Sequence, residues 1–169
     1  SAAKIDSRIS ISLTNSPNGG EPVTAKKLRR KMPPDSGRRR SARRLNRAAV
    51  EYILAREGVQ AIIQTGAQDY PWVAERTAAL GKRVFAAPYI ETMHRAYGAA
   101  DVVLSRAGAL SVSEIAAVGL PAILVPYPFA VDDHQRLNAA LLADAGGAVV
   151  VADAELTGER LAATLDPLL

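Results

Sequence analysis

Apolar and polar positions follow a regular pattern only from Leu45 onward, and there they predict strands that alternate with helices. Short apolar runs predict strands at 59–63, 84–87, 101–104, 122–125 and 148–151. Longer segments with apolar residues every three or four positions predict helices at 45–58, 71–80, 92–99, 111–118, 134–144 and 155–165. Short links between alternating elements indicate right-handed βαβ units. The fold class is therefore α/β, with a doubly wound, Rossmann-like parallel sheet.

The first 41 residues differ from the rest in composition. They are rich in Ser, Asn, Pro, Gly, Lys and Arg, and only Ile9–Leu13 shows a short alternation of apolar and polar residues. Such a composition favours irregular structure over a packed core. We therefore expect a basic, irregular leader over residues 1–41 and one folded domain over residues 42–169, which is long enough for a single core.

Positive charge is concentrated in one part of the chain. The net charge is +4, but Lys26–Arg47 holds 11 of the 21 basic residues and a single acid, Asp35. A basic cluster can contact nucleic acid or an anionic membrane surface. This stretch has no aromatic residue for base stacking and no visible recognition helix, so we expect no nucleic acid partner. A solvated leader and a contact with an anionic membrane surface both remain open.

Composition also bounds the chemistry. Cysteine is absent, which excludes disulfides and thiolate metal sites. The two histidines, His94 and His134, have no partner at metal-ligand spacing, and no Ser–His–Asp nucleophile motif is visible. No apolar run approaches the roughly 18–20 residues that span a bilayer. We expect no metal and no cofactor.

The stretch Ser105–Asn138 has polar residues only where its helices begin. Gly108 allows a tight turn after a strand, and Ala109–Ser111 then present unpaired backbone N–H groups. With the helix dipole, these groups make an anion site suited to a diphosphate. Glu114, one turn further, can accept hydrogen bonds from two neighbouring sugar hydroxyls. The alternative is an ordinary strand–helix turn with a solvent-facing glutamate.

This stretch also resembles a known family. The run RAGALSVSEIAAVGLPAILVPYPFAVDDHQRLNA is similar to the nucleotide-sugar signature of the MurG enzymes, which are GT-B transferases of glycosyltransferase family 28. Three further blocks agree in order and spacing: Arg43–Asn46, Gln64–Gly66 and Tyr89–Met93. The resemblance runs from about Ala42 to the C-terminus. It implies the C-terminal, donor-binding half of a transferase that uses UDP-N-acetylglucosamine.

The resemblance also implies roles for individual residues at the nucleotide. Ala109, Leu110 and Ser111 would hold the diphosphate, and Glu114 would hold the ribose hydroxyls. The backbone of Ile90 would read the polar edge of uracil.

Further contacts are implied around the base and the sugar. Tyr89 would pack on the uracil ring and Met93 would lie beneath it, although Tyr89 and Ile90 can instead cap the core under their loop. His134 and Gln135 would read the N-acetylglucosamine hydroxyls, with Asn138 as a further candidate. The alternative is a helix start capped by its own polar residues, with Asp132 or Asp133 as the N-cap.

One element of the family pattern is missing from the sequence. Family members open this domain with an aliphatic strand and a Gly-Gly-Ser-x-Gly-Ala turn, whereas Gly37–Ala42 reads GRRRSA. Three consecutive arginines cannot form a buried parallel strand, because unpaired buried charge is costly. We therefore expect the first strand to be degraded or replaced, with the residues before Ala42 as an out-of-frame or divergent leader.

The resemblance finally implies a cellular function. Family members transfer N-acetylglucosamine, with inversion, onto lipid-linked N-acetylmuramoyl-pentapeptide at the cytoplasmic face of the bacterial inner membrane, as peripheral enzymes. This hexosyltransferase reaction serves peptidoglycan synthesis, and with it cell-wall biogenesis, cell shape and cell division. The acceptor and the catalytic residues are expected on an N-terminal domain missing here, so we expect no transfer by this chain alone. Alternatives are an inactive UDP-sugar-binding fragment and another GT-B UDP-glycosyltransferase.

Overall fold

The described parts of the chain form a parallel sheet with helices on both faces. The computed structural model describes residues 7–12, 36–130 and 133–169. In these residues the sheet has six strands: β1 (Ser7–Ser12), β2 (Val59–Gln64), β3 (Val84–Ala87), β4 (Val102–Ser105), β5 (Ala122–Leu124) and β6 (Ala148–Val150). Every pairing between neighbours is parallel, and the spatial order is β3-β2-β1-β4-β5-β6. This is the doubly wound order of dinucleotide-binding domains, so the predicted fold class is confirmed.

Helices connect the strands and cover the sheet. They are α1 (Ser36–Leu54), α2 (Tyr70–Thr77), α3 (Met93–Gly98), α4 (Ala109–Val118), α5 (His134–Asp144) and α6 (Gly158–Leu165). A first apolar cluster joins α1, α2 and α6 to one face of the sheet, and a second joins α3, α4 and α5 to the other. Within β4, Val102 and Leu104 belong to the first cluster and Val103 to the second, because successive side chains of a strand alternate. In the described part of the chain, no helix is long and apolar enough to cross a bilayer.

The expectation that the first strand is degraded or replaced is corrected by β1. It pairs with β2 on one side and β4 on the other, and Ile9 lies opposite both Ala61 and Val102. A central parallel strand usually reads as a continuous aliphatic run. Ser7–Ser12 instead alternates polar and aliphatic residues, and this hid it in the sequence. Residues 1–6 and 13–35 of the expected leader lie outside the described residues.

The three consecutive arginines lie in α1, which begins at Ser36. The expected boundary between leader and domain, at residue 42, therefore falls inside a helix. Arginine is a good helix former, so the three arginines can lie in a helix although they could not lie in a buried strand.

Other boundaries follow local chemistry. Gly119 ends α4 in the left-handed conformation (φ 76°), and its N–H donates to the Ile115 carbonyl at 2.9 Å. The Thr157 hydroxyl caps α6 by accepting the Arg160 N–H at 3.1 Å. The predicted helix at 71–80 ends as α2 at Thr77 and continues as a 3-10 segment that kinks at Gly81. The predicted start of the last helix at residue 155 is replaced by a 3-10 turn, Asp153–Glu155.

Candidate functional site

The candidate site lies at the carboxyl ends of the parallel strands. In a doubly wound sheet, ligands bind where the strand order reverses, which here is between β1 and β4. Helix α4 begins directly after β4, at that position. The topology alone therefore points to the N-terminus of α4.

The first turn of α4 has the geometry of an anion site. Gly108 precedes the helix in an extended conformation (φ −66°, ψ 146°), and no side chain caps the helix. The Val112 N–H donates to the Gly108 carbonyl at 3.0 Å, so the N–H groups of Ala109 and Leu110 lie ahead of this helical hydrogen bond, in the first turn. Ala109 and Leu110 are exposed, whereas the side chain of Ser111 is buried. A contact from Ser111 to an anion would therefore come from its backbone.

Glu114 is held by a residue of the neighbouring helix. The hydroxyl of Tyr97, on α3, donates to Glu114 Oε2 at 3.2 Å. Tyr97 is buried and Glu114 is partly exposed, so the carboxylate lies between the core and solvent. A carboxylate has about four lone-pair positions, so one donor leaves acceptor capacity for two hydroxyls.

The loop after β3 is attached to the turn after β2. Gln64 Oε1 accepts the Ile90 N–H at 2.8 Å, and Gln64 itself is only 7% exposed. The Thr65 N–H donates to the Ala87 carbonyl at 2.9 Å, and the Gly66 N–H donates to the Pro88 carbonyl at 3.1 Å. Because the Ile90 N–H already has an acceptor, its carbonyl is the backbone group with capacity for a base.

The two other predicted residues of this loop differ in burial. Tyr89 is 71% exposed, which disfavours the alternative that it caps the core. Met93, at the start of α3, is half-buried and packs against the second apolar cluster. The exposed ring of Tyr89 is thus open to stacking.

The three candidate sugar residues lie at the start of α5, and two of them have protein partners. Gln135 Oε1 accepts the Tyr127 N–H at 2.9 Å, and Asn138 Nδ2 donates to the Ala107 carbonyl at 3.1 Å. His134 is exposed at the first position of the helix. Asn138 therefore connects α5 to the turn before α4.

Asp133 stands at the N-cap position of α5, but its side chain does not cap the helix. Asp133 has φ 55°, its side chain makes no capping hydrogen bond, and it lies 3.6 Å from Arg136 in an exposed ion pair. Asp132, the other N-cap candidate, lies outside the described residues. The interpretation of these acids as helix caps gains no support from Asp133.

A buried ion cluster next to the turn before α4 was not predicted. Arg106 directly precedes the turn, and its guanidinium lies 2.6 Å from Asp153 Oδ1 and donates to the Val125 carbonyl at 3.1 Å. Arg44 Nη1 approaches Asp153 Oδ2 at 3.0 Å from α1. Burial lowers the pKa of Arg106, and the charge of Asp153 opposes that shift. An arginine only two residues after the aliphatic run 102–104 was the available signal.

A second unpredicted cluster lies beside the turn after β2. Asn46 Nδ2 donates to Asp69 Oδ2 at 2.7 Å and to the Thr65 carbonyl at 3.1 Å. Arg43 Nε lies 3.2 Å from the other carboxylate oxygen of Asp69. These contacts fix the middle of α1 against the segment that follows the carboxyl end of β2. Among the described residues, no group of three or more His, Cys, Asp or Glu could hold a metal ion.

The chain is similar to a known protein family and to individual curated proteins. The model of the glycosyltransferase family 28 C-terminal domain matches residues 37–169. A protein of Desulfotalea psychrophila is 40% identical over 130 residues, which are 74% of this chain and 35% of that protein. One of Burkholderia orbicola is 57% identical over 84 residues, 50% of this chain and 23% of that protein. Both are named UDP-N-acetylglucosamine--N-acetylmuramyl-(pentapeptide) pyrophosphoryl-undecaprenol N-acetylglucosamine transferase.

Solved structures of glycosyltransferases are also similar to this chain. MurG of Acinetobacter baumannii superposes with a TM-score of 0.68 at 35% identity, covering 75% of this chain and 38% of that one. The glycotransferase of kitacinnamycin covers 96% of this chain and 34% of its own, with a TM-score of 0.64 at 19% identity, which supports the fold alone. Some curated relatives match about three quarters of this chain. The chain spans only about a third of the length of those relatives.

Proposed function

Because the chain belongs to glycosyltransferase family 28, matching its C-terminal domain, we propose that it binds UDP-N-acetylglucosamine as the donor in a hexosyl transfer. The observation that carries this proposal is the uncapped N-terminus of α4 at the position where the strand order reverses. The relatives' names describe transfer of N-acetylglucosamine to a lipid-linked muramyl-pentapeptide, and we extend that reaction to the whole protein of which this domain is the donor-binding part.

The diphosphate is bound by the first turn of α4. Backbone N–H groups of Ala109, Leu110 and Ser111 donate to its oxygens, and the helix dipole adds a favourable field. When the glycosidic bond to the diphosphate breaks, negative charge grows on the leaving UDP. Donors that are already oriented stabilise this charge without reorganisation, and the ion cluster around Arg106 holds the turn in place.

The uridine lies between α4 and the loop after β3. Glu114 accepts hydrogen bonds from the ribose hydroxyls. The Ile90 carbonyl accepts the N3–H of uracil, since its N–H is engaged by Gln64. The exposed ring of Tyr89 stacks on the base, and Met93 supports the loop from below.

The sugar lies against the start of α5. His134 and Gln135 read neighbouring hydroxyls of N-acetylglucosamine. Gln135 Oε1 is engaged by Tyr127, so its Nε2 group is the donor that faces the sugar. Asn138 acts by holding the Ala107 carbonyl rather than by touching the sugar.

The rest of the reaction belongs to the whole protein. Another domain binds the acceptor and supplies the base that activates the acceptor hydroxyl. The transfer proceeds with inversion at the anomeric carbon. We place the enzyme at the cytoplasmic face of the bacterial inner membrane, as a peripheral protein in cell-wall biogenesis, cell shape and cell division. The basic segment around α1 is suited to an anionic surface. The reaction needs no cofactor besides the nucleotide sugar.

Calorimetric titration of the full chain with UDP tests the donor site. We expect saturable binding, and Glu114→Ala to weaken it by about 1.5–3 kcal/mol, as for a hydrogen bond to a charged group. Glu75→Ala, which changes an exposed glutamate on α2, is the matched control and should bind like the unaltered chain. Absence of saturable UDP binding, or equal affinities for the two variants, would contradict the proposal.

A further inference from the structure

The contact between Tyr97 and Glu114 joins a core residue to a residue of the proposed ribose site. Tyr97 is only 2% exposed and belongs to the second apolar cluster, with Val103 and Ile115 among its members. A buried tyrosine hydroxyl needs a hydrogen-bond partner. One partner here is Glu114 Oε2, at 3.2 Å on the next helix.

This hydrogen bond restricts a side chain that is otherwise mobile. A glutamate has three side-chain torsions, and ordering it costs conformational entropy when a ligand binds. A donor that already holds one carboxylate oxygen reduces that cost, because the carboxylate is oriented beforehand. The tyrosine donates, so the carboxylate keeps acceptor capacity for hydroxyls that donate in turn.

We infer that Tyr97 is a positioning residue that orients Glu114 toward the two ribose hydroxyls, and that it thereby contributes to selection of ribonucleotides. This inference rests on the proposed donor site. Tyr97 also lies on α3, which begins at Met93, directly after the loop that Gln64 holds through Ile90. One short segment therefore carries both the base loop and the group that orients the ribose acceptor.

The test compares UDP with 2′,3′-dideoxy-UDP, by calorimetry on the full chain. We expect Tyr97→Phe to lower the preference for UDP about three- to tenfold, with little change in affinity for the dideoxy nucleotide. Tyr52→Phe is the matched control: Tyr52 is equally buried and its hydroxyl donates to Asp166 at 2.9 Å, but between α1 and the segment after α6. It should keep the full preference.

The outcomes separate this inference from the donor-site proposal. If Glu114→Ala abolishes the preference and Tyr97→Phe keeps it, the inference is overturned and the donor site stands. If Tyr97→Phe weakens both nucleotides equally, the tyrosine only supports the fold and the inference is again overturned. If the unaltered chain does not bind UDP, the proposed function itself fails.

A second variant covers the case in which Tyr97→Phe does not fold. Glu114→Asp keeps the charge but withdraws the carboxylate from the tyrosine hydroxyl by one methylene, and leaves the core unaltered. We expect the same loss of preference for UDP over the dideoxy nucleotide. A full preference in Glu114→Asp would overturn the inference.

Discussion

Gln64 Oε1 accepts the backbone N–H of Ile90 at 2.8 Å, and this hydrogen bond joins the end of β2 to the loop proposed to read uracil. The glutamine is buried and ends β2, directly before a turn whose backbone N–H groups donate to the carbonyls of Ala87 and Pro88. The base loop is therefore positioned by the neighbouring strand as well as by its own sequence.

Loss of this hydrogen bond should weaken recognition of uracil. We expect Gln64→Ala to lower the affinity for UDP about three- to tenfold, because a loop that is not held in place must be ordered on binding. The preference for UDP over CDP should fall with it, and calorimetry with both nucleotides measures this. Gln68→Ala, at an exposed glutamine in the following turn, is the control. An unchanged preference in Gln64→Ala would remove the loop from base recognition.

Gln135 should affect the sugar more than the nucleotide. A site that hydrogen-bonds a hydroxyl discriminates against a ligand in which that hydroxyl is misplaced. We expect Gln135→Ala to narrow the preference for UDP-N-acetylglucosamine over its C4 epimer, UDP-N-acetylgalactosamine, while the affinity for UDP stays within about twofold. Arg136→Ala, at the exposed neighbouring position, is the control. Loss of UDP affinity with the full sugar preference retained would instead make Gln135 a nucleotide-binding or structural residue.

The buried ion cluster should contribute strongly to stability. Asp153→Ala leaves the Arg106 guanidinium buried without its carboxylate, and breaking such a pair costs about 3–5 kcal/mol. Arg136→Ala breaks an exposed ion pair and should cost less than about 1 kcal/mol. Urea unfolding followed by circular dichroism measures both. Equal losses of unfolding free energy in the two variants would show that the buried cluster stabilises the fold no more than an exposed ion pair does.

Stability should also depend on pH through Asp166. The hydrogen bond from Arg56 holds the pKa of this carboxyl below its usual value, and the Tyr52 hydroxyl adds to the effect, while burial opposes it. A carboxyl whose pKa is lowered by folding stabilises the protein above the pKa of the unfolded chain, about 4, and loses that contribution as the pH falls. We expect Asp166→Asn to flatten the decline in unfolding free energy between about pH 5 and pH 3.

The matched control for this pH dependence is Asp144→Asn, at an exposed aspartate at the end of α5. It should leave the slope between those pH values close to that of the unaltered chain. If the unfolding free energy of Asp166→Asn declined more steeply with falling pH, Asp166 would not be the source of this pH dependence. The same conclusion would follow if both variants showed the same slope.

The sequence predicted elements well wherever local pattern decides them. The predicted β3 and α5 agree with the structure at both ends, because each has a clear apolar pattern bounded by turn residues. It failed at β1, since alternating serines and aliphatic residues do not identify a strand as central. It also missed the partner of Arg106, because four elements (α4, β5, α5 and β6) separate Asp153 from it and local spacing cannot connect them. The roles of the site residues toward a ligand stay predictions.

The position of β1 has a practical consequence for anyone who shortens this protein. A chain trimmed to residues 37–169, where the family model matches, would contain the whole proposed donor site. It would lack the strand that lies between β2 and β4, so the sheet would divide into β3-β2 and β4-β5-β6, with a newly bare edge on each part. Bare edges of this kind pair with other chains and promote aggregation. Expression trials should therefore retain the N-terminal residues, even though they look dispensable by sequence.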